Sequence, residues 1–205
     1  MRMKLGYSSF AISLEDDAKN CEWYWDISTN ENRTIRVSIS SFPVKNDPTN
    51  LKTETWIYFK LFKLIPEVGV RKYQQVCFRS VEADRLLQSL GHMERFIMYA
   101  LPREHEELNL ELDRFAINDD EDAVQTHWFI DVYETAKRKT RVSYVMYKPK
   151  DPIKSTYIQL NLFKTSEFKT EIQRKGLVNY TLQEFEKLRI DSVRIRETLK
   201  LMSSQ

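Results

Sequence analysis

The chain repeats itself, and that repeat fixes most of what it can fold into. Trp23-Tyr-Trp-Asp26-Ile stands 14 residues before Val37-Ser38, and Trp128-Phe-Ile-Asp131-Val stands 14 residues before Val142-Ser143. The same offset pairs Arg33 with Arg138 and Arg36 with Arg141. Further on, Thr55–Lys63 (TWIYFKLFK) matches Thr156–Lys164 (TYIQLNLFK) at five of nine positions. Thr55 precedes Ser80, and Thr156 precedes Thr181, by the same 25 residues. The one length change, four residues between Ser38 and Thr55, falls where Pro43, Asn46, Asp47, Pro48 and Asn50 mark a loop. Three matched blocks with the insertion confined to a loop indicate a duplicated module.

Each copy reads as four strands and a helix. Segments rich in β-branched and aromatic residues predict strands near 22–28, 34–42, 54–63 and 73–79, and again near 127–134, 140–148, 155–164 and 174–180. Asn30-Glu-Asn32 and Thr135-Ala-Lys137 are the expected hairpin turns, so each set of strands forms an antiparallel meander. Thr181 with Glu184 three residues on forms a capping box, followed by an apolar stripe of Leu182, Phe185, Leu188, Val193 and Leu199. In the first copy Ser80 is the expected cap, followed by Val81, Leu86, Leu87 and Leu90. Gly91 ends or bends that helix, and a further helical stretch is expected over 93–100 before Pro102. The reading is an α+β chain of two β-β-β-β-α repeats. It has an N-terminal extension (1–20), a first repeat (21–101), a linker (102–126) and a second repeat (127–205).

The linker is acidic. Residues 103–122 hold nine acids and two bases, net −7, so the rest of the chain carries +9 toward a formal total of +2. Such asymmetry points to a polyanionic partner. Four glycines in 205 residues argue against a glycine-rich phosphate loop. Cys21, Cys77 and three dispersed histidines fit no metal-ligand spacing, so neither a metal nor a cofactor is expected, and the compartment is expected to be reducing. The chain has no apolar run near the ~18 residues of a membrane span, and its first residues lack the apolar stretch of a signal peptide.

Alternation along the third strand separates two faces. Ile57, Phe59 and Leu61 form an aliphatic row for the helix; Trp56, Tyr58, Lys60 and Phe62 face the other way. In the second copy Ile158, Leu160 and Leu162 oppose Tyr157, Gln159, Asn161 and Phe163. Aromatic rings beside cations on an open sheet suit single-stranded nucleic acid: bases stack on the rings while Lys and Arg track phosphates. Lys137, Arg138, Lys139 and Arg141 form a basic hairpin, and Arg71-Lys72 and Arg174-Lys175 add charge at the fourth strands. Trp23 and Trp128 are expected in the core. Asp26 and Asp131 are expected to close a turn or meet an arginine, and no catalytic constellation is legible, so a non-enzyme is expected.

Arg174-Lys-Gly-Leu-Val-Asn-Tyr-Thr-Leu-Gln-Glu-Phe-Glu-Lys-Leu188 resembles the strand-to-helix corner of the transcriptional positive-cofactor-four domain. Residues 71–91, from Arg71-Lys-Tyr to Ser-Leu-Gly91, are similar to that corner in Whirly proteins, and Phe129-Ile-Asp-Val132 with its basic turn resembles Pur-alpha repeats. The resemblance is to the superfamily, not to one branch: Tyr73 stands where the first family has glycine. It implies an intramolecular pseudo-dimer packed through its helices, with sheets that bind single-stranded DNA or RNA, DNA before RNA. By matching position it implies contacts from Tyr24, Arg36, Trp56, Tyr58 and Lys60 in one copy and from Phe129, Arg141, Tyr157 and Gln159 in the other. The expected setting is transcription, replication or genome maintenance in the nucleus or another DNA-containing compartment. The competing expectation is a protein-interaction scaffold of the same fold, engaging a second copy or another protein through its helices or acidic linker.

Overall fold

The computed structural model of the chain describes residues 12–44, 53–91, 93, 115–119, 122–135, 138–166 and 169–204. Helix α1 (Leu14–Lys19) leads into β1 (Trp23–Asn30), β2 (Arg33–Pro43), β3 (Thr53–Ile65), β4 (Gly69–Arg79) and α2 (Ser80–Leu90). Then follow β5 (Phe115–Asp119), β6 (Ala123–Glu134), β7 (Lys139–Pro149), β8 (Tyr157–Ser166), β9 (Lys169–Thr181) and α3 (Leu182–Ser203). The expected helical stretch over 93–100 lies, apart from residue 93, outside the described residues.

Both sheets are antiparallel meanders in chain order, β1-β2-β3-β4 and β5-β6-β7-β8-β9, and each runs into a helix. The duplication extends to backbone irregularities. A bulge at Ile27 between β1 and β2 recurs at Val132 between β6 and β7, and one opposite Leu61/Phe62 recurs opposite Leu162/Phe163. The second sheet has one strand more than expected. β5 lies within the stretch read as linker, and β6 begins at Ala123. Phe115-Ala-Ile117 is a short β-forming run whose acidic surroundings dominated the composition.

The helix starts differ from the sequence reading in one detail. Arg79, not Ser80, occupies the cap position of α2. The Arg79 N–H donates to the Glu82 carboxylate at 3.0 Å, as the Thr181 N–H donates to Glu184 at 2.8 Å. The reason is that the box is counted back from the glutamate, and Glu82 is the partner of Glu184. The apolar stripes also shift. Val81 and Val193 are exposed; Ala83, Leu86, Leu87 and Leu90 of α2 and Phe185, Leu188, Ile195 and Leu199 of α3 are buried. In α3 these follow a three-four spacing that Val193 misses and Ile195 keeps.

The two capping glutamates also join the repeats. Arg33, in the β1–β2 hairpin of the first repeat, clasps Glu184 of the second at 2.7 and 2.8 Å. Arg138, its counterpart in the second repeat, donates to Glu82 of the first at 3.0 Å. Glu82 is wholly buried and also accepts from the Thr140 hydroxyl at 2.9 Å. Burial alone would raise its pKa. Lys164, the Arg79 amide, Thr140 and the Arg79 charge outweigh that and hold it below the usual carboxylate range. Between the helices, Arg196 of α3 pairs with Asp84 of α2 at 2.6 and 3.1 Å.

These crossings enclose one core. α2 and α3 touch each other, and each touches both sheets. Ile35, Val37, Ile57, Phe59 and Leu61 of the first sheet join Val142, Tyr144, Leu160 and Tyr180 of the second in a single apolar cluster. Trp128 lies within it and Trp23 packs against it. Buried Tyr144 and Tyr180 both pack edge-on against Phe185, and burial pushes both phenols well up.

The last strands of the two sheets also meet. The Asn179 N–H donates to the Gln74 side chain at 2.9 Å. A Cβ on Gly176 would stand 2.6 Å from the Gln75 carbonyl oxygen, so only glycine permits this approach of β9 to β4. Gly176→Ala is therefore expected to lower stability by about 1–3 kcal/mol in urea unfolding. Gly91→Ala, whose Cβ would meet nothing nearer than 3.5 Å, is the control expected to change it little.

Candidate functional site

The faces turned away from the helices carry the candidate residues. On the first sheet register aligns Tyr24 with Ser38, Asp26 with Arg36, Ser38 with Tyr58 and Arg36 with Lys60. On the second it aligns Phe129 with Ser143, Asp131 with Arg141, Ser143 with Asn161, and Tyr147 with Tyr157. Period-two alternation therefore brings these residue types together on each sheet.

At the same place on each face an arginine is clamped by an aspartate over a ring. Arg36 donates to Asp26 at 2.7 and 3.0 Å and lies 4.2 Å from the Tyr24 ring centre. Arg141 donates to Asp131 at 2.7 and 3.0 Å and lies 4.2 Å from the Phe129 ring centre. Asp26 and Asp131 thus meet arginines, as the sequence suggested. The surroundings differ: the Arg36 side chain is 3% exposed, the Arg141 side chain 31%.

The difference is α1. Ser13 caps it, accepting from the Asp16 N–H at 3.1 Å, and Glu15, Asp16 and Asp17 fill its first turn, where the helix dipole favours acids. Asp17 faces the first sheet and is buried there. Its carboxylate accepts from Lys60 Nζ at 2.6 Å and from Arg36 at 3.4 Å. Lys60 also donates to Ser38 at 2.7 Å, and Arg36 to the Leu14 carbonyl at 2.8 Å. The Lys72 N–H donates to the Ile12 carbonyl at 3.1 Å, and Ser13 bridges Arg71. The outer face of the first sheet, expected to be open, is closed at its centre: Lys60 and Phe62 are buried.

Around this closed centre, burial pushes the Tyr58 phenol up to about 12, with a smaller push from Cys77. Lys72 donates to Gln75 at 2.9 Å, and burial, then the Lys60 charge, lowers its ammonium pKa. Arg71 is half-buried and donates to the Val70 carbonyl at 2.9 Å. Trp56 donates to Glu54 at 3.1 Å, with Lys164 of the second repeat 5.6 Å from its ring.

The second sheet's face has no such cover among the described residues. Tyr157 is 36% exposed and stacks on Tyr147 at 4.8 Å and 17°. Gln159 donates to Asn179 at 3.1 Å. Asn161, where the first repeat has Lys60, is buried with its side-chain oxygen unpartnered among the described residues. His127 shares this face, and burial lowers its pKa. The basic hairpin is not a free cationic patch. Arg138 belongs to Glu82, and Lys139 pairs with Asp131 at 2.9 Å and Glu134 at 3.1 Å; Lys137 lies outside the described residues. Arg174 and Lys175 are exposed at the β9 bulge, Lys175 donating to Gln173 at 3.1 Å.

Sequence reasoning overlooked Tyr147 and Asp17. Tyr147 was legible as an even step from Arg141 along β7. Ser13-Leu-Glu-Asp16 carried the signature of a capped helix start. Among the described residues no cluster of His, Cys, Asp and Glu is arranged to hold a metal ion, both cysteines are free thiols, and no helix is long and apolar enough to cross a membrane. The class this geometry defines is an α+β protein of two modules paired within one chain, each an antiparallel sheet followed by a helix, one sheet of four strands and one of five. No protein-family model matches the sequence, and neither does any curated protein.

Removing each clamped arginine should separate the two faces. Arg36→Met leaves two aspartates and a buried lysine imperfectly matched and is expected to cost about 3 kcal/mol or more. Arg141→Met, at a more solvated pair, is expected to cost about 1 kcal/mol or less in the same urea titration.

Proposed function

We propose that this chain binds single-stranded nucleic acid, DNA before RNA, on the outer faces of its sheets, with the second sheet as the standing surface. The observation that carries the reading is the face, uncovered among the described residues, that holds Phe129, Tyr147, Tyr157, Gln159 and Asn179, with exposed Arg174 and Lys175 at the β9 bulge. Rings accept base stacking whatever the base, amides reach base edges, and the two cations meet phosphates. The repeated strand order and paired helices support membership in the superfamily of Whirly, positive-cofactor-four and Pur-alpha proteins. The role is binding rather than catalysis, in transcription, replication or genome maintenance.

One observation favours the competing reading of an interaction scaffold: Arg36, Lys60, Arg138, Lys139 and Arg141 are all engaged by carboxylates of the chain itself. The two readings separate on one titration. Fluorescence anisotropy with labelled single-stranded DNA, single-stranded RNA and duplex should give single strands the tighter binding, weakening as salt rises. Tyr157→Ala should lower single-strand affinity roughly tenfold, the loss of one stacked base, with the melting temperature nearly unchanged. Equal affinity for the variant would remove the stacking role, and absence of binding at low salt would favour the scaffold.

A further inference from the structure

The two repeats serve as controls for each other at the arginine clamp. In both, an aspartate (Asp26 of β1, Asp131 of β6) holds the arginine at the same two distances over the same kind of ring. In the second repeat the clamped arginine is hydrogen-bonded, among the described residues, by Asp131 alone. Asp17 is therefore additional in the first repeat. It supplies an anion to Lys60, a cation that the second repeat lacks because Asn161 occupies that place.

We infer that the outer face of the first sheet is a second nucleic-acid site held shut by α1, with the Asp17 carboxylate standing where a backbone phosphate would meet Lys60 and Arg36. The inference rests on the single-strand reading above. An anion seated between Lys60 Nζ, Arg36 Nη1 and the Ser38 hydroxyl would have Tyr24 and Tyr58 beside it, the lysine 5.0 Å from the Tyr58 ring centre and the arginine 4.2 Å from that of Tyr24. That is a phosphate position flanked by two stacking surfaces, the arrangement that a single strand requires. Asp17 is joined to the fold through little else. Its helix has six residues, and the backbone links of this segment to the sheet among the described residues are those of Leu14 to Arg36, Ile12 to Lys72 and the Ser13–Arg71 bridge. A six-residue helix has almost no stability of its own, so its place depends on the sheet it covers. A strand bound first on the second sheet raises the local concentration of phosphate at the closed face, which favours exchange of one anion for another.

Asp17→Asn removes the internal anion and leaves the cations. Measured on the full chain with a long single-stranded DNA by anisotropy, it is expected to bind about tenfold tighter at low salt. The slope of log affinity against log salt should steepen by about 0.7 or more, the counterion release of at least one further phosphate. On the unaltered protein, the Asp17 and Lys72 amides should exchange hydrogen faster once the DNA is bound, because their bonds to the Ser13 and Ile12 carbonyls open. This second measurement is independent of how the variant folds. Binding by the unaltered protein with an unchanged slope in Asp17→Asn and unchanged amide protection would overturn the closed site and leave the single-strand reading standing. Failure of both proteins to bind at low salt would overturn both. Binding gained only in Asp17→Asn would support the closed site and move the standing surface away from the second sheet.

Discussion

Two reciprocal ion pairs, Arg33 with Glu184 and Arg138 with Glu82, are the constraint on which the rest of this structure depends. Each glutamate closes the first turn of its own helix and meets an arginine from the other repeat's hairpin. Each capping glutamate thus serves its own helix start and the other repeat at once. Such pairs add little net stability compared with apolar replacements, but breaking one leaves a buried glutamate short of a partner, at a cost of up to about 3–5 kcal/mol that Arg79 and Lys164 reduce at Glu82. They therefore select one crossing of two similar helices over others. That crossing brings α2 and α3 together, merges the two apolar faces into one core and brings β4 and β9 so close that Gly176 is required.

With the cores merged, each sheet has one face left, and there the copies have diverged. The arginine–aspartate clamp and its ring persist in both. The neighbouring positions have exchanged Lys60 for Asn161 and Tyr58 for Gln159. The more cationic face is the one that α1 covers. The more neutral face, with its stacked Tyr147 and Tyr157, is uncovered among the described residues. Covering the cationic face suits the charge balance: among the described residues Asp17 is the carboxylate paired with buried Lys60.

Much of this was legible in the sequence because the relevant signals are local. Strand alternation set the faces, the Trp and Arg spacing set the duplication, and Thr181 with Glu184 set one helix start. The other start was misplaced by one residue because Ser80 is the better capping residue type, whereas the glutamate decides the register. Val193 is expected in the apolar stripe but lies five residues after Leu188 and is exposed; Ile195, seven residues after Leu188, keeps the helical spacing and is buried. What the sequence hid is pairing over distance. Nothing local tells that Arg138, in a run of three basic residues, belongs to a buried glutamate 56 positions earlier. Nor does anything local tell that Asp17 lies against Lys60, 43 positions later. The basic hairpin therefore looked like a binding patch, and the N-terminal segment like an appendage.

The central claim is that the two repeats form one folding unit through their exchanged ion pairs. It is tested most directly by a double-mutant cycle on Arg138→Met and Glu82→Gln, with urea unfolding followed by tryptophan fluorescence and circular dichroism together. The structure predicts one coincident transition for both probes and a coupling energy above about 1 kcal/mol between the two positions. Separate transitions for the two repeats, with a coupling near zero, would contradict it.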